Sequence, residues 1–228
     1  ADHPQRAGRR GGGAVTMPSV RGVLLGVSVA LVVTACAAPA PIPADRYYRL
    51  STPLSDGASP LPIHGTLYVP VLEAAGVYAE RSVLLSDHSA TELEQRRYDF
   101  WAEPPARLLQ HALVDYLRAR AAGTWHVTAS RPRGGAASVL RGRIVRFDLE
   151  HAGDAYVPVV TLGFELVDPG RGTVLSETFE ARGRPDSIDG ALGPGGFSAL
   201  VAELFGDLSS AAARPLSRSK EVATGIGP

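Results

Sequence analysis

Two successive runs of alternation constrain this chain more than any other feature. Val145, Phe147 and Leu149 alternate with Arg146, Asp148 and Glu150; Val160, Leu162, Phe164 and Leu166 then alternate with Thr161, Gly163 and Glu165. A period of two marks a strand with one face buried and the other polar. Asp168-Pro-Gly-Arg-Gly172 is a turn leading into Val174–Ala181, so the spacing predicts an antiparallel meander laid on a core. The phase slips near Gly142, where Arg141 and Arg143 take positions that Val145 marks as inward. That slip predicts a bulge there.

A sheet with one apolar face needs a second layer. Glu103-Pro104-Pro105 opens a helix, since proline is pre-organised for the first turn and an acidic residue suits the dipole there. Leu109, Ala112, Leu113, Tyr116 and Leu117 follow at helical spacing, Arg118 and Arg120 sit in the last turn, and Gly123 is a stop. Phe197, Leu200, Val201, Leu204, Leu208 and Ala212 mark a second amphipathic helix. Shorter strands are expected at Tyr47–Leu50, Thr66–Val69 with Val71-Leu72, Val83–Leu85 and Arg97–Trp101, with a loop over Ser51–Pro62. The expected class is α/β of the α+β type: a mostly antiparallel sheet with two principal amphipathic helices packed on it.

The N-terminal region reads as an address. Arg21 precedes an apolar run of 11 residues, Val23–Val33, and small residues follow it. These are the parts of a secretory signal peptide, and the run is short for a spanning helix, which needs roughly 20 residues. Val33-Thr34-Ala35-Cys36 looks like a bacterial lipobox with Val33 in place of the usual Leu, and Cys36 is the only cysteine of the chain. Cys36 is therefore the candidate lipidation site; the bland alternative is a buried cysteine in an uncleaved anchor. Residues 1–16, rich in Arg and Gly and ahead of the first Met, read as a non-native or over-extended start. Residues 17–35 are the signal peptide, 36–45 a Pro-rich lipidated tether, 46–216 a single domain, and 217–228 a disordered tail.

Composition closes several other routes. The chain has 23 Lys+Arg against 23 Asp+Glu, with no basic surplus for phosphate backbones. Removing residues 1–35 takes four Arg and one Asp with it, leaving 193 residues at a charge of −3. One cysteine makes no internal disulfide, and no two of the six His lie three or four apart, so a helical two-His metal site is absent from the sequence. Gly193-Pro-Gly-Gly196 lacks the Lys-Ser/Thr of a phosphate loop and reads as a flexible start to a helix. Ser86-Asp87-His88 places triad-type residues side by side, whereas triads assemble from separated segments; a solvated turn is the plainer reading. Arg141, Arg143 and Arg146 read as a solvated or edge face, with contact to headgroups or a partner as the functional alternative. Nothing beside Asp148 and Glu150 would part their pKa values for acid–base work. No enzyme, metal or cofactor is expected beyond a covalent lipid on Cys36.

Tyr98-Asp99-Phe100-Trp101-Ala102-Glu103-Pro104-Pro105 is less ordinary. Trp101 either packs over the base of the helix and fixes its approach, or is presented to a partner, as Trp is at binding hot spots. Trp101, Pro104 and Pro105 are thus a structural or partner-docking motif.

With these residues in view, the chain resembles the ABC-type transport auxiliary lipoproteins, the family of paraquat-inducible protein C. The matching features are the lipobox Cys36, the Tyr47-Tyr48-Arg49-Leu50 opening, the Val-rich second strand, the Trp101-Ala-Glu-Pro104-Pro105…Leu109 block, and a meander followed by a C-terminal helix. The resemblance implies an α/β domain without catalytic residues, anchored to the outer membrane of a Gram-negative envelope and facing the periplasm. It also implies a partner, the MCE-domain periplasmic subunit of a lipid-trafficking ABC system, and a possible ring-like homo-oligomer. Ala37 after the cysteine agrees with outer-membrane sorting. The alternative function is an envelope scaffold or assembly lipoprotein with no direct role in lipid transport.

Overall fold

In the computed structural model residues 42–51, 64–121, 125–134 and 136–214 are described. The chain divides into two compact units, Ala1–Pro43 and Ala44–Pro228, and nearly all described residues fall in the second. The signal peptide, Cys36, Gly123, most of the Ser51–Pro62 loop and the 217–228 tail lie outside the described residues.

The strands are β1 (Arg46–Tyr48), β2 (Gly65–Tyr68), β3 (Ser82–Ser86), β4 (Leu93–Trp101), β5 (Trp125–Thr128), β6 (Ala137–Ala152), β7 (Ala155–Asp168) and β8 (Gly172–Arg182). The helices are α1 (Pro105–Arg120), α2 (Ile188–Leu192) and α3 (Phe197–Ala213), with a 3-10 turn at Gly76–Ala79. The meander of β6, β7 and β8 is antiparallel, as the alternation predicts. β3 and β4 are also antiparallel. The sheet as a whole is nonetheless mixed, not mostly antiparallel: β1 runs parallel to β4, β2 parallel to both β5 and β6, and β3 parallel to β6. The physical reason is connectivity. Hairpins join sequence neighbours and leave a local turn signal, whereas these parallel joins bring together strands separated by crossovers.

β6 is the spine of the sheet. Its first residues pair β2, Arg143 bridges Glu73, and its far end pairs β3. The intervening chain, with the 3-10 turn, spans the stretch these neighbours leave open. The bulge lies there, between Ile144 and Arg146, three residues beyond Gly142. Val145 is the extra residue, and it is 44% exposed instead of inward. Leu140 and Ile144 before it, and Phe147 and Leu149 after it, all face the core. Val71-Leu72 is not part of a strand; Leu72 is buried while Val71 is exposed.

The helices cover the core-facing side. Tyr116 of α1 meets Phe205 of α3 at 5.4 Å, and Phe205 meets Phe164 of β7 at 6.4 Å. Gly196, just ahead of α3, explains the Gly-rich run: a Cβ there would stand 1.8 Å from the Ala191 carbonyl oxygen. That glycine answers a close backbone approach.

Candidate functional site

The Trp101 block joins the end of β4 to the start of α1. Trp101 is 1% exposed. Its ring lies 5.0 Å from Phe147 and 5.2 Å, edge-on, from Phe197, so one aromatic cluster ties β4, β6 and α3 together. The backbone is held as firmly: Trp101 N–H donates to the Arg81 carbonyl at 2.7 Å, and Ala102 N–H to that of Tyr48 at 2.7 Å. Pro104 takes the helix-capping position and its carbonyl accepts from Arg107 and Leu108; buried Pro105 begins the helix. Trp101 is thus a core side chain, placed as the structural reading of the block expects. What the block does present is Glu103, 3.7 Å from His111, on a groove of about 540 Å³ that Arg49, Leu50, Leu108 and Asp115 also line.

Asp99, two residues earlier, is fully buried. Arg46 Nε donates to it at 2.8 Å, Arg96 Nε at 3.0 Å and Tyr48 OH at 3.2 Å. Burial would raise this carboxyl, but the two guanidinium bonds outweigh it and hold the group below its ordinary value. Burial, with Asp99 beside it, pushes the Tyr48 hydroxyl up to about 12. Arg46 also reaches Asp189 of α2 at 2.7 Å, so the point where the chain enters the domain is clasped to two other elements.

A second charged cluster crosses β3, β6 and β8. Alternation turns Asp148 and Glu150 away from Phe147 and Leu149, yet both are 1% exposed. Asp148 accepts from Ser86 Oγ at 2.6 Å, Tyr78 OH at 3.1 Å and Arg146 Nε at 3.1 Å. Glu150 accepts from Arg182 at 2.7 Å and Arg146 at 3.2 Å, and His88 Nδ1 lies 2.7 Å from it. The Arg182 bonds, against burial and with help from His88 and Arg146, lower the Glu150 carboxyl to about 2. Burial and then the Asp148 charge raise the Tyr78 hydroxyl. Together these bonds tie Tyr78 from the chain between β2 and β3, Ser86 at the end of β3, His88 just beyond it, and Arg182 of β8 to β6.

The sequence motifs resolve against this frame. Ser86 bonds Asp148, His88 meets Glu150, and Asp87 caps its own turn through Ser89 and Thr91, so no triad assembles. Arg146 is drawn into the buried cluster instead of lying on a solvated face, whereas Arg141 pairs Glu165 at 2.9 Å and Arg143 lies across Gly163. Among the described residues no group of three metal-ligating side chains converges, and no helix is long and apolar enough to cross a membrane. The sequence marks Asp148 and Glu150 as a pair on one strand face but not the arginines that cover them, because a polar strand face reads the same whether water or arginine covers it.

A mixed sheet with helices on one face, its buried carboxylates paired with arginines, defines a two-layer α/β domain. The chain belongs to the family of ABC-type transport auxiliary lipoprotein components, whose model matches residues 48–204. It is similar to the crystal structure of protein XCC0632 from Xanthomonas campestris, at 19% identity and a TM-score of 0.60, covering 72% of this chain and 92% of that one. A crystal structure of a protein described only as uncharacterized is also similar, at 19% identity and a TM-score of 0.55, covering 77% of this chain and 100% of the other. At these identities the likeness shows the fold. No curated protein matches.

Proposed function

We propose that the protein is an accessory binding lipoprotein of an MCE-type ABC lipid transport system, anchored to the outer membrane through a lipid on Cys36 and facing the periplasm. The observation that carries this reading is the family match, which runs from β1 to within α3 and so takes in nearly the whole folded domain. The lipobox and Ala37 support the anchor and its sorting. The domain acts by binding, not catalysis: it holds the distal end of the lipid conduit formed by the MCE subunit. Anchoring confines it to the same narrow compartment as that subunit, which turns a weak contact into an effective one.

The test is association of the purified mature chain with the periplasmic MCE subunit, without nucleotide, at tens of micromolar, roughly where weak specific contacts still register. Binding is expected, and the same subunit should co-purify from solubilised envelopes. Folded protein that does not associate would leave the scaffold function in its place.

A further inference from the structure

β1 is an edge strand of three residues, paired among the described residues only with β4. Arg46 and Tyr48 both turn to Asp99, so alternation sends Tyr47 to the face away from the helices. There Tyr47 is 58% exposed, stacked 5.8 Å from the half-buried Phe100. The Arg81 guanidinium lies 5.4 Å from the Tyr47 ring, and Arg97 lies 5.7 Å from the ring of Tyr98, two residues before Phe100 on β4. Arg81 and Arg97 are exposed and have no carboxylate partner among the described residues, unlike Arg46 and Arg96, which are spent on Asp99. Arg81 Nε does donate to the Trp101 carbonyl at 3.1 Å, a neutral acceptor that leaves its charge unpaired by any carboxylate among the described residues. An exposed tyrosine beside arginines without a carboxylate partner is the composition that sits at a headgroup layer: the ring has an apolar body and a polar tip, and the guanidinium matches phosphate.

The covalent chain says what lies near this patch. Eleven peptide steps separate Cys36 from Tyr47, and at about 3.3–3.6 Å per residue they span at most roughly 40 Å. A lipid on Cys36 therefore keeps a bilayer within reach of β1 at all times. Among the exposed large apolar residues described in the folded domain, Tyr47 has a stacked aromatic neighbour and a cation and lies at the tethered end.

We propose that the Tyr47–Phe100 edge, with Arg81 and Arg97, rests on the phospholipid surface to which the chain is tethered. This rests on the reading that Cys36 is acylated. The acyl chains supply the holding power, since two arginines on a chain of net charge −3 are no polybasic clamp. The patch sets which way the domain faces: the outer side of β1 and β4 lies towards the lipid, and the helical layer with α3 towards the periplasm.

The test uses the acylated mature protein, reconstituted in phosphatidylethanolamine–phosphatidylglycerol vesicles with and without brominated acyl chains. Trp101 and Trp125 are 1% and 6% exposed, so they give a constant background. Tyr47→Trp adds an indole at the patch, and Asp207→Trp adds one on the exposed side of α3. The expected result is that bromolipid removes most of the emission added by Tyr47→Trp and none of that added by Asp207→Trp. Adding Arg81→Glu and Arg97→Glu to Tyr47→Trp should restore it. Equal quenching at both sites would overturn the fixed orientation, and quenching that survives both Glu substitutions would overturn the role of the arginines. Intact mass separates the two readings. An acylated chain whose Tyr47→Trp emission stays bright overturns the contact and leaves the anchor standing, whereas a chain without an acyl group overturns both.

Discussion

Asp148 and Glu150 lie on the face of the sheet opposite Phe147 and Leu149, yet they are no more accessible than core leucines. A carboxylate taken out of water stays charged only if it is paired and hydrogen-bonded, and here Arg146, Arg182, Ser86, Tyr78 and His88 do that pairing. Glu150→Gln would keep the shape, leave Arg182 without its anion and leave Arg146 with Asp148 alone. Breaking a buried pair from one side costs about 3–5 kcal/mol, and the lower end applies because the Arg182 side chain is 43% exposed and can turn to water. The pH dependence has a definite sign. Glu150 is lowered from 4.5 to about 2 in the folded chain, so its contribution is complete above about pH 4.5 and is lost as pH falls towards 2. Thermal midpoints followed from about pH 5 downward should fall for the parent chain, and Glu150→Gln should show a flatter profile from a lower start. Little of this was legible beforehand: Arg182 lies 32 residues from Glu150 in sequence, and alternation says that a face is polar without saying that it is wet.

Strand β6 shows what periodicity can and cannot place. Alternation located the meander because each hairpin joins neighbours in sequence, and it registered a phase slip. Alternation counted from Val145 as an inward residue puts the slip at Gly142, because Arg141 and Arg143 then fall on the inward phase. In the fold Val145 itself is the extra residue, and Gly142 keeps the inward phase, packed so closely that a Cβ would meet Leu72 Cγ at 2.7 Å. The parallel pairings of β1, β2 and β3 left no such trace, because their partners lie across long connections. The helices were easier, as Pro105 and the buried series Leu109, Leu113, Tyr116 and Leu117 state both the start and the face of α1. The element scale therefore yields a contrast. Val145→Ser should change stability by no more than about 0.5 kcal/mol, whereas Phe147→Ala, two residues on, and Trp101→Ala should each cost about 3–5 kcal/mol. Denaturant unfolding measures all three. A large loss at Val145 would return it to the core.

For the whole molecule, address and fold are separate pieces of information carried by separate stretches of chain. The proposed address rests on twenty residues ending at Cys36, where a charged end, an apolar run and a small-residue cut are local chemistry. The domain depends on long-range pairing: its core closes through Trp101, Phe147 and Phe197, which span nearly a hundred residues. Neither should need the other. Cys36→Ala should therefore leave the thermal transition of the domain from Ala44 onward unchanged while removing the lipid, so that cells accumulate an unprocessed precursor or a soluble periplasmic form. Fractionation reads the location. Intact mass of the parent should show a chain starting at Cys36 with a diacylglycerol-sized addition. A lipid on Cys36, as proposed above, would also make β1 the mechanical join of the protein, since a pull from the membrane would reach the domain at Arg46. That residue is bonded to Asp99 of β4 and Asp189 of α2, which spreads the pull over elements far apart in sequence. A chain with Cys36→Ala that still sediments with membranes and carries the added mass would show that another residue bears the lipid, and the tether would have to be redrawn from there.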